Sequence, residues 1–247
     1  MSKNLTDKVA FVSGGSRGIG AAIARRLAAD GATVVIGYQN SASAAEDLVV
    51  EIQSKGGSAL AVHADAGDAA ALTSAIDLAA QRYGRLDILV NNAGIFRMGD
   101  ISEFSLDDFD QTVAINVRSV FVGAQAAAKH MKAGGRIINI SSTNAQRMPI
   151  AGAAVYAMSK SALTGLTKGM ARDLGPRGIT VNNVLPGPVN TDMNPENSDF
   201  AASLHSLMAI PRHGQPNEIA AAVAYLAGPE SAFVTGGDLL IDGGFAA

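Results

Sequence analysis

A glycine-rich turn near the start of the chain constrains its fold more than any other feature. The apolar run from Lys8 to Ser13 is predicted to be a buried strand, and it leads directly into GGSRGIG at positions 14–20. A predicted helix from Ala21 to Asp30 follows, and then a second strand from Thr33 to Ile36. This order is the context of a dinucleotide site, because the glycines let the backbone approach a pyrophosphate and the helix start offers free N–H groups to bind it. The alternative is a glycine turn without a ligand.

The residues after the second strand bear on which dinucleotide would bind. NAD sites place an acid there for the ribose 2′-hydroxyl, but no carboxylate occurs in this chain between Ile36 and Glu46. Arg17 lies inside the glycine turn, where it would attract a 2′-phosphate, and Asn40 and Ser41 could donate hydrogen bonds to that phosphate. The sequence therefore predicts NADP(H), unless Arg17 is only a solvated loop charge.

Composition argues against several other classes of protein. The 247 residues are 48% hydrophobic and 17% charged, which suits one large α/β domain or two small ones, and no linker divides the chain. A net charge of −3 predicts no nucleic-acid partner and, with no long apolar run, no membrane. The absence of cysteine and the scattered histidines predict no metal site. The N-terminus lacks the apolar segment of a secretory signal, so we expect a cytoplasmic protein.

A second informative pair lies in the helix predicted around residues 155–160. Tyr156 and Lys160 are four positions apart and therefore share one helix face. A free tyrosine has a pKa of about 10, and a nearby ammonium group favours its phenolate form. The pair is predicted to form a general acid/base with a lowered Tyr156 pKa. By itself the spacing fits an amphipathic surface pair equally well.

Several segments together resemble the short-chain dehydrogenase/reductase family over residues 8–244. The matching segments are Gly14-x-x-x-Gly18-x-Gly20, Asn91-Asn92-Ala93-Gly94, Tyr156-x-x-x-Lys160, Pro186-Gly187-Pro188-Val189-Asn190-Thr191 and Asp242-Gly243-Gly244. Ser13 replaces the family's usual threonine and keeps a hydroxyl. The resemblance implies a single-domain, doubly wound Rossmann fold over residues 1–247, with helices on both faces of a seven-stranded parallel sheet in the order 3-2-1-4-5-6-7. Residues 192–214 would form a mobile lid of one or two short helices.

The resemblance also implies four catalytic residues. Tyr156 would exchange a proton with the substrate oxygen, Ser142 would steady that oxygen, and Lys160 would lower the Tyr156 pKa and bind the nicotinamide ribose. Asn116 interrupts the apolar face of the helical stretch predicted from Leu106 to about Lys132. It could simply cap or kink a helix turn there, whereas the resemblance implies that it holds a water linking Lys160 to solvent. Ser142 is chosen because the segment from Ile137 to Ser142 matches the family. Ser141 and Thr143 are rivals, since Ser142 lies one residue farther from Tyr156 than is usual.

The residues predicted to bind NADP(H) come from the glycine turn, the end of the second strand and the family segments. They are Gly14, Ser16, Arg17, Gly18, Ile19, Gly20, Tyr38, Asn40, Ser41, Asp65, Asn91, Ala93, Gly94, Tyr156, Lys160, Pro186, Gly187, Val189 and Thr191. Asp65 would contact the adenine amine, and Val189 and Thr191 the nicotinamide carboxamide. Asn91 would also tie the central strands together.

The substrate is predicted less sharply than the reaction. The candidate pocket residues are Ile95, Phe96, Thr143, Gln146, Val155, Met193, Leu204 and Met208, a largely apolar set that favours a small hydrophobic or aromatic ketone or secondary alcohol. The alternative is a 3-oxoacyl-carrier-protein reductase of fatty-acid synthesis. Arg177 matches one of that enzyme's basic carrier-docking positions, but Ala133 occupies the other, with Lys132 beside it. The family also implies a homotetramer.

Two hypotheses come from other classes of protein. One is a catalytically inactive module that senses NADP(H), against which the presence of Ser142, Tyr156 and Lys160 argues. The other is a methyltransferase, which would bind S-adenosylmethionine and would lack the Tyr–Lys pair.

Overall fold

Seven parallel strands form one sheet in the computed structural model, which describes residues 3–247. Their order, β3-β2-β1-β4-β5-β6-β7, confirms the predicted fold. The strands are β1 (Val9–Val12), β2 (Thr33–Tyr38), β3 (Ser58–His63), β4 (Ile88–Asn91), β5 (Arg136–Ile140), β6 (Thr180–Pro186) and β7 (Asp238–Ile241). The order reverses direction between β1 and β4, and in open α/β sheets ligands bind beyond the carboxyl ends of the strands at such a point.

Helices cover both faces of the sheet. They are α1 (Gly18–Ala29), α2 (Ala42–Ser54), α3 (Ala69–Tyr83), α4 (Leu106–Val113), α5 (Ser119–His130), α6 (Ala154–Leu174), α7 (Ala201–His205) and α8 (Pro216–Ala227). Alternate residues of β1 point to opposite faces: Val12 packs with α1, α2 and α8, whereas Phe11 packs with α3, α5 and α6. The two cores therefore lie on opposite sides of the strands.

The helical stretch predicted as continuous from Leu106 to Lys132 is interrupted. A turn of π-helix, Ala114–Arg118, separates α4 from α5, and Asn116 lies in it. Single π-helical turns are rare and often mark functional sites, because the extra residue redirects a side chain. The π-helical form of this turn is not evident from the sequence, because apolar residues continue at helical spacing on either side of it.

A row of polar side chains crosses four neighbouring strands within the core. The Nδ2 atom of Asn91 on β4 donates to Oδ1 of Asn139 on β5 at 2.8 Å. The Nδ2 of Asn139 donates to Oδ1 of Asn183 on β6 at 3.2 Å, and the Nδ2 of Asn183 donates to Oδ1 of Asp238 on β7 at 2.8 Å. Each residue is also the register partner of the next. We call this row the amide ladder.

The predicted lid, residues 192–214, contains one short helix, α7. Its far end returns to the sheet edge, because the Gly214 N–H donates to the Pro188 carbonyl at 2.9 Å and the Gly214 carbonyl accepts from Asn190 at 2.9 Å. The lid is therefore tied to the chain that follows β6.

Candidate active site

A cavity of about 720 Å³ runs along the carboxyl ends of the strands. All of the predicted cofactor-binding residues line it except Asn91, which is 4% exposed and takes part in the amide ladder. Three of the four predicted catalytic residues, Ser142, Tyr156 and Lys160, line the same cavity. The sequence thus identified most of one continuous wall.

The glycine turn closes tightly at one end of the cavity. Gly14 has a φ of +60°, and a Cβ there would lie 3.0 Å from the Cα of Ala93. A Cβ on Gly20 would lie 2.3 Å from the Gly14 carbonyl oxygen, so a side chain at position 20 would break the turn. A ligand can therefore approach the backbone at this point, whereas a side chain at either glycine would clash with neighbouring backbone.

The turn is held to the end of β4 by side chains. The Ser13 hydroxyl accepts from the N–H groups of Asn92 and Ala93 at 3.0 and 3.1 Å. The Asn92 amide nitrogen in turn donates to the carbonyls of Ser13 and Gly14 at 3.0 and 2.9 Å. Asn92 lines the cavity and was not among the predicted site residues, although it stands inside the Asn91–Gly94 segment.

The start of α1 has the features of an anion site. The helix begins at Gly18, earlier than the predicted Ala21, and its N-cap residue Arg17 makes no side-chain capping bond. No acidic residue occurs in the first turn, where Gly18, Ile19 and Gly20 face the cavity. Free N–H groups and the positive end of the helix dipole suit a phosphate.

A second uncapped helix start lies where a 2′-phosphate is predicted. Ser41, the N-cap residue of α2, makes no side-chain capping bond, and the first turn of α2 carries no acid. The Arg17 side chain is 69% exposed, and its Nη1 lies 3.9 Å from Oδ2 of the exposed Asp192. Asp65 is held by Nε2 of Gln39 at 2.8 Å and by the Gly67 N–H at 2.7 Å. The donors that surround this end of the cavity fit a phosphate.

Lys160 reaches from α6 toward the end of β5. Its ammonium nitrogen donates to the Ile140 carbonyl at 2.9 Å and lies 5.8 Å from the centre of the Tyr156 ring. The residue is 5% exposed, and burial lowers the pKa of Lys160 to about 8. A buried cation beside a phenol is thus present, as predicted from the spacing.

The predicted shift of the tyrosine does not appear in the structure. Burial raises the pKa of Tyr156 above its usual value, and a hydrogen bond with the Ser142 side chain opposes that rise. The spacing argument expected the opposite direction, because it considered the Lys160 charge and not the desolvation of the phenol. Lowering the Tyr156 pKa would therefore require a further positive charge in the cavity.

The geometry favours Ser142 over its two rivals. The Ser141 hydroxyl donates to the Lys160 carbonyl at 3.0 Å, and the Thr143 hydroxyl donates to Oδ2 of Asp242 at 2.9 Å. Ser142 instead faces the cavity and interacts with Tyr156. Its hydroxyl accepts from the Asn144 N–H at 3.2 Å and donates to Asn144 Oδ1 at 3.4 Å, a long bond that a substrate oxygen could replace.

Asn116 is fully buried and contacts two parts of the site. Its Oδ1 accepts from the Ile95 N–H at 2.9 Å, and its Nδ2 donates to the Ile95 carbonyl at 2.9 Å and to the Ser159 hydroxyl at 3.0 Å. A Cβ on Gly94 would lie 3.4 Å from both Asn116 Oδ1 and Lys160 Nζ, so the amide and the ammonium group lie close together. The water that Asn116 was predicted to hold stays a prediction.

Half of the predicted substrate pocket lines the cavity. Ile95, Phe96, Met193 and Leu204 do so, whereas Thr143, Gln146, Val155 and Met208 do not. Thr143 is held by Asp242, and the Met208 side chain packs against Gly243. The structure adds residues that sequence reasoning missed: Met98, Asn144, Ile150, Phe200 and Phe245. The carbonyl oxygen of Phe245 accepts a hydrogen bond from Arg147 Nη1 at 2.5 Å, which holds Phe245 at the cavity wall.

The two histidines of the predicted lid contact each other. Nε2 of His205 lies 2.7 Å from Nδ1 of His213, and His213 is 1% exposed. Burial and the neighbouring His205 lower the pKa of His213. Among residues 3–247, no group of three or more His, Cys, Asp or Glu side chains is placed to hold a metal ion. Nor does the described part of the chain contain a helix long and apolar enough to cross a bilayer.

The chain is similar to known proteins over nearly its whole length. Residues 14–246 match the family model described as enoyl-(acyl carrier protein) reductase. The chain is 50% identical over 242 residues to the cyclic-di-GMP-binding biofilm dispersal mediator protein of Escherichia coli, covering 98% of each. A short-chain dehydrogenase/reductase from Serratia marcescens is 61% identical with a TM-score of 0.98, over 99% of this chain and 100% of that one.

A third similar protein bears on the cofactor. The short-chain dehydrogenase from Burkholderia cenocepacia, solved in complex with NADP, is 52% identical with a TM-score of 0.97, over 99% of this chain and 100% of that one. Its bound cofactor agrees with the predicted preference for NADP(H). The extent and identity of these matches, together with the sheet order, show that the chain belongs to the short-chain dehydrogenase/reductase family.

Proposed function

We propose that the chain is an NADP(H)-dependent oxidoreductase that interconverts a ketone and a secondary alcohol. The observation that carries the proposal is the convergence of Ser142, Tyr156 and Lys160 on one cavity that also contains the glycine turn. A phenol, a hydroxyl and an ammonium group supply proton transfer and oxyanion stabilisation.

The cavity fits the predicted cofactor. The glycine turn and the start of α1 would hold the pyrophosphate, and Arg17 with Asn40 and Ser41 would hold the 2′-phosphate. Asp65 would contact the adenine amine, and Val189 and Thr191 would hold the carboxamide. When bound, NADP(H) supplies or accepts the hydride at the substrate carbon, and its oxidised ring brings a positive charge.

Side chains of the protein carry out the proton transfer. In the reductive direction Tyr156 donates its phenolic proton to the carbonyl oxygen, while Ser142 donates a hydrogen bond to that oxygen as negative charge develops. Lys160 binds the ribose and favours the resulting phenolate, and the water held by Asn116 returns the proton from solvent. Alcohol oxidation uses the same steps in reverse. The raised Tyr156 pKa keeps the phenol protonated, which is the form needed for reduction.

The substrate that the cavity wall supports best is a small hydrophobic or aromatic carbonyl compound. Phe96, Ile150, Phe200 and Leu204 give that wall its apolar character. The alternative is a 3-oxoacyl-carrier-protein reductase, and a relative of that name from Synechocystis is 41% identical over 243 residues, covering 97% of each chain. Against it, the Arg177 guanidinium donates to the carbonyls of Ala128 and Met131, so that it is engaged by its own chain.

A second candidate function is ligand sensing without turnover. The relative from Escherichia coli that is named for cyclic-di-GMP binding favours it, since half of its sequence is shared. In that case the cavity would bind a nucleotide and the chain would regulate a partner. The complete Ser–Tyr–Lys set favours the enzyme.

A screen of ketones and secondary alcohols with both cofactors, followed by nicotinamide absorbance, tests these functions. Turnover of any ketone with NADPH supports the oxidoreductase, and turnover of only acyl-thioester ketones supports the carrier-protein alternative. Binding of NADPH or cyclic-di-GMP by calorimetry, without turnover across the panel, supports the sensor.

We also propose that the chain is a single domain that assembles as a homotetramer, with residues 192–214 acting as a lid. Several large apolar side chains are exposed, among them Leu106 on α4, Phe121 on α5, Phe233, and Leu240 on β7. Burial of such side chains between subunits would favour assembly. Light scattering of the purified protein gives the assembly, and a monomeric mass would contradict it.

A further inference from the structure

The ring of Phe96 lies against the ring of the proposed proton donor. The centroids of Phe96 and Tyr156 are 4.8 Å apart and the ring planes meet at 87°, which is an edge-to-face contact. Phe96 is 36% exposed and lines the cavity, so that part of its ring faces the space beside Tyr156. One side chain therefore touches both the phenol and the substrate space.

The backbone that carries Phe96 is fixed from behind. The Asn116 side chain binds both the N–H and the carbonyl of the preceding residue, Ile95. The same amide donates to the Ser159 hydroxyl, which donates to the Tyr156 carbonyl at 2.7 Å. The contacts close a circuit through Asn116, Ile95, Phe96, Tyr156 and Ser159. A circuit of this kind fixes the phenol through its backbone and through its ring.

Phe96 also separates two spaces. Phe96 and Met98 line the main cavity and also a neighbouring cavity of about 360 Å³. The neighbouring cavity is bounded on its other side by Phe104 and by Arg97, whose Nε lies 2.9 Å from Oδ1 of Asp108. A smaller side chain at position 96 would leave Tyr156 without its ring contact and widen the substrate space toward that second cavity.

We propose that Phe96 is a positioning residue for Tyr156 and a determinant of substrate specificity. Its ring holds the phenol in the orientation that proton transfer requires, and its exposed part favours a ketone with a flat aromatic group over a saturated one of similar size. Aromatic pairs gain stabilisation beyond their buried area, which a cyclohexyl ring cannot match. The inference rests on the ketone chemistry proposed above.

The test compares acetophenone with cyclohexyl methyl ketone, two ketones of similar size. We expect Phe96→Leu to lower kcat about fivefold for both ketones, from loss of positioning, and to lower the acetophenone preference in kcat/KM by about a further fivefold. Phe96→Tyr keeps an aromatic ring, so its kcat and its acetophenone preference in kcat/KM should lie within about twofold of those of the unaltered protein. NADPH affinity, measured by calorimetry, should not change in either variant. Val50→Ala, at a 65% exposed apolar residue of α2 that lines neither cavity, is the control.

The outcomes separate this inference from the proposed function. Turnover with equal losses for the two ketones, unchanged kcat in Phe96→Leu, or failure of Phe96→Tyr to restore activity would each overturn the role of Phe96 alone. Turnover of no ketone by the unaltered protein would overturn the proposed function and this inference together. If Phe96→Leu does not fold, Phe96→Met provides the same comparison, since it retains volume without a ring.

Discussion

The Lys160 ammonium nitrogen donates a hydrogen bond to the carbonyl oxygen of Ile140 at 2.9 Å, inside a site where the lysine is 5% exposed. No carboxylate accompanies this contact in the hydrogen bonds of the described residues, so the charge is buried against a neutral carbonyl. Such a cation is costly to the folded state but is well placed to act on a phenol or a ribose.

The burial of Lys160 predicts a pH dependence of stability. Its pKa is lowered from 10.5 to about 8, so the unfolded chain binds more protons between these values and stability should rise with pH through that interval. Below pH 8 the full penalty applies, roughly 3 kcal/mol. Lys160→Met should therefore raise the unfolding free energy of the cofactor-free protein at pH 7 and remove the rise above pH 8. Urea unfolding checks this, with the exposed Lys168→Met as control. A Lys160→Met variant less stable than the parent at pH 7 would contradict it.

Removal of the Tyr156 hydroxyl should strongly lower kcat without weakening the binding of NADPH. Tyr156→Phe keeps the ring and its contact with Phe96, so we expect an unchanged NADPH dissociation constant and a kcat at least about a hundredfold lower. Stopped-flow fluorescence and steady-state kinetics measure the two quantities. Tyr225→Phe, at an exposed tyrosine of α8, should leave both unchanged. Near-normal turnover by Tyr156→Phe would remove Tyr156 from the mechanism.

Ser142 and Ser141 should differ in what their loss affects. Ser142→Ala removes a donor to the developing oxyanion together with the bonds to Asn144, so kcat should fall about a hundredfold with a stability loss of no more than about 1 kcal/mol. Ser141→Ala removes a bond to the Lys160 carbonyl and should cost about 1 kcal/mol of stability with kcat reduced by less than about fivefold. Kinetics and urea unfolding of both variants decide the matter, and the reverse pattern would assign the catalytic hydroxyl to Ser141.

Arg17 should determine the choice between the two nicotinamide cofactors. Arg17→Ala should weaken NADPH binding about tenfold through loss of a charge-assisted contact with the 2′-phosphate, and should leave NADH binding unchanged. Arg25→Ala, which removes a salt bridge with Glu51 on the outer side of α1, is the control. An equal loss for both cofactors would assign Arg17 to the pyrophosphate, and a higher kcat/KM for NADH in the unaltered protein would refute the NADP preference.

The fold was predictable because its signals are local. The order of strand, glycine turn and helix is contained within the first thirty or so residues, and Tyr156 and Lys160 share one helix. A kinked turn was one of the two predictions for Asn116, but its π-helical form could not be read because apolar residues continue at helical spacing on both sides of it. Its side-chain bonds to Ile95 come from a segment 21 positions away.

The substrate wall was predicted less well, for a different reason. Ile150, Phe200 and Phe245 lie on three separate loops that meet only when the lid and the chain end fold over the sheet edge, and no periodicity marks them. Thr143 was wrongly placed in the pocket because its partner, Asp242, is 99 positions away. The direction of the Tyr156 pKa was missed because desolvation depends on tertiary packing, whereas the Lys160 spacing can be read from the chain.

The amide ladder fixes the register of four neighbouring strands, and therefore the height at which each strand ends. Sliding any one of β4 to β7 by a residue would turn its ladder side chain to the opposite face and leave a buried amide or carboxylate without its partner. Ser142 follows the end of β5 and Pro186 ends β6, so that alignment sets the relative heights of the Ser142 hydroxyl and of the segment proposed to bind the carboxamide. The relative positions of groups at the cavity are thus set by ladder residues beneath its floor, which do not line the cavity themselves.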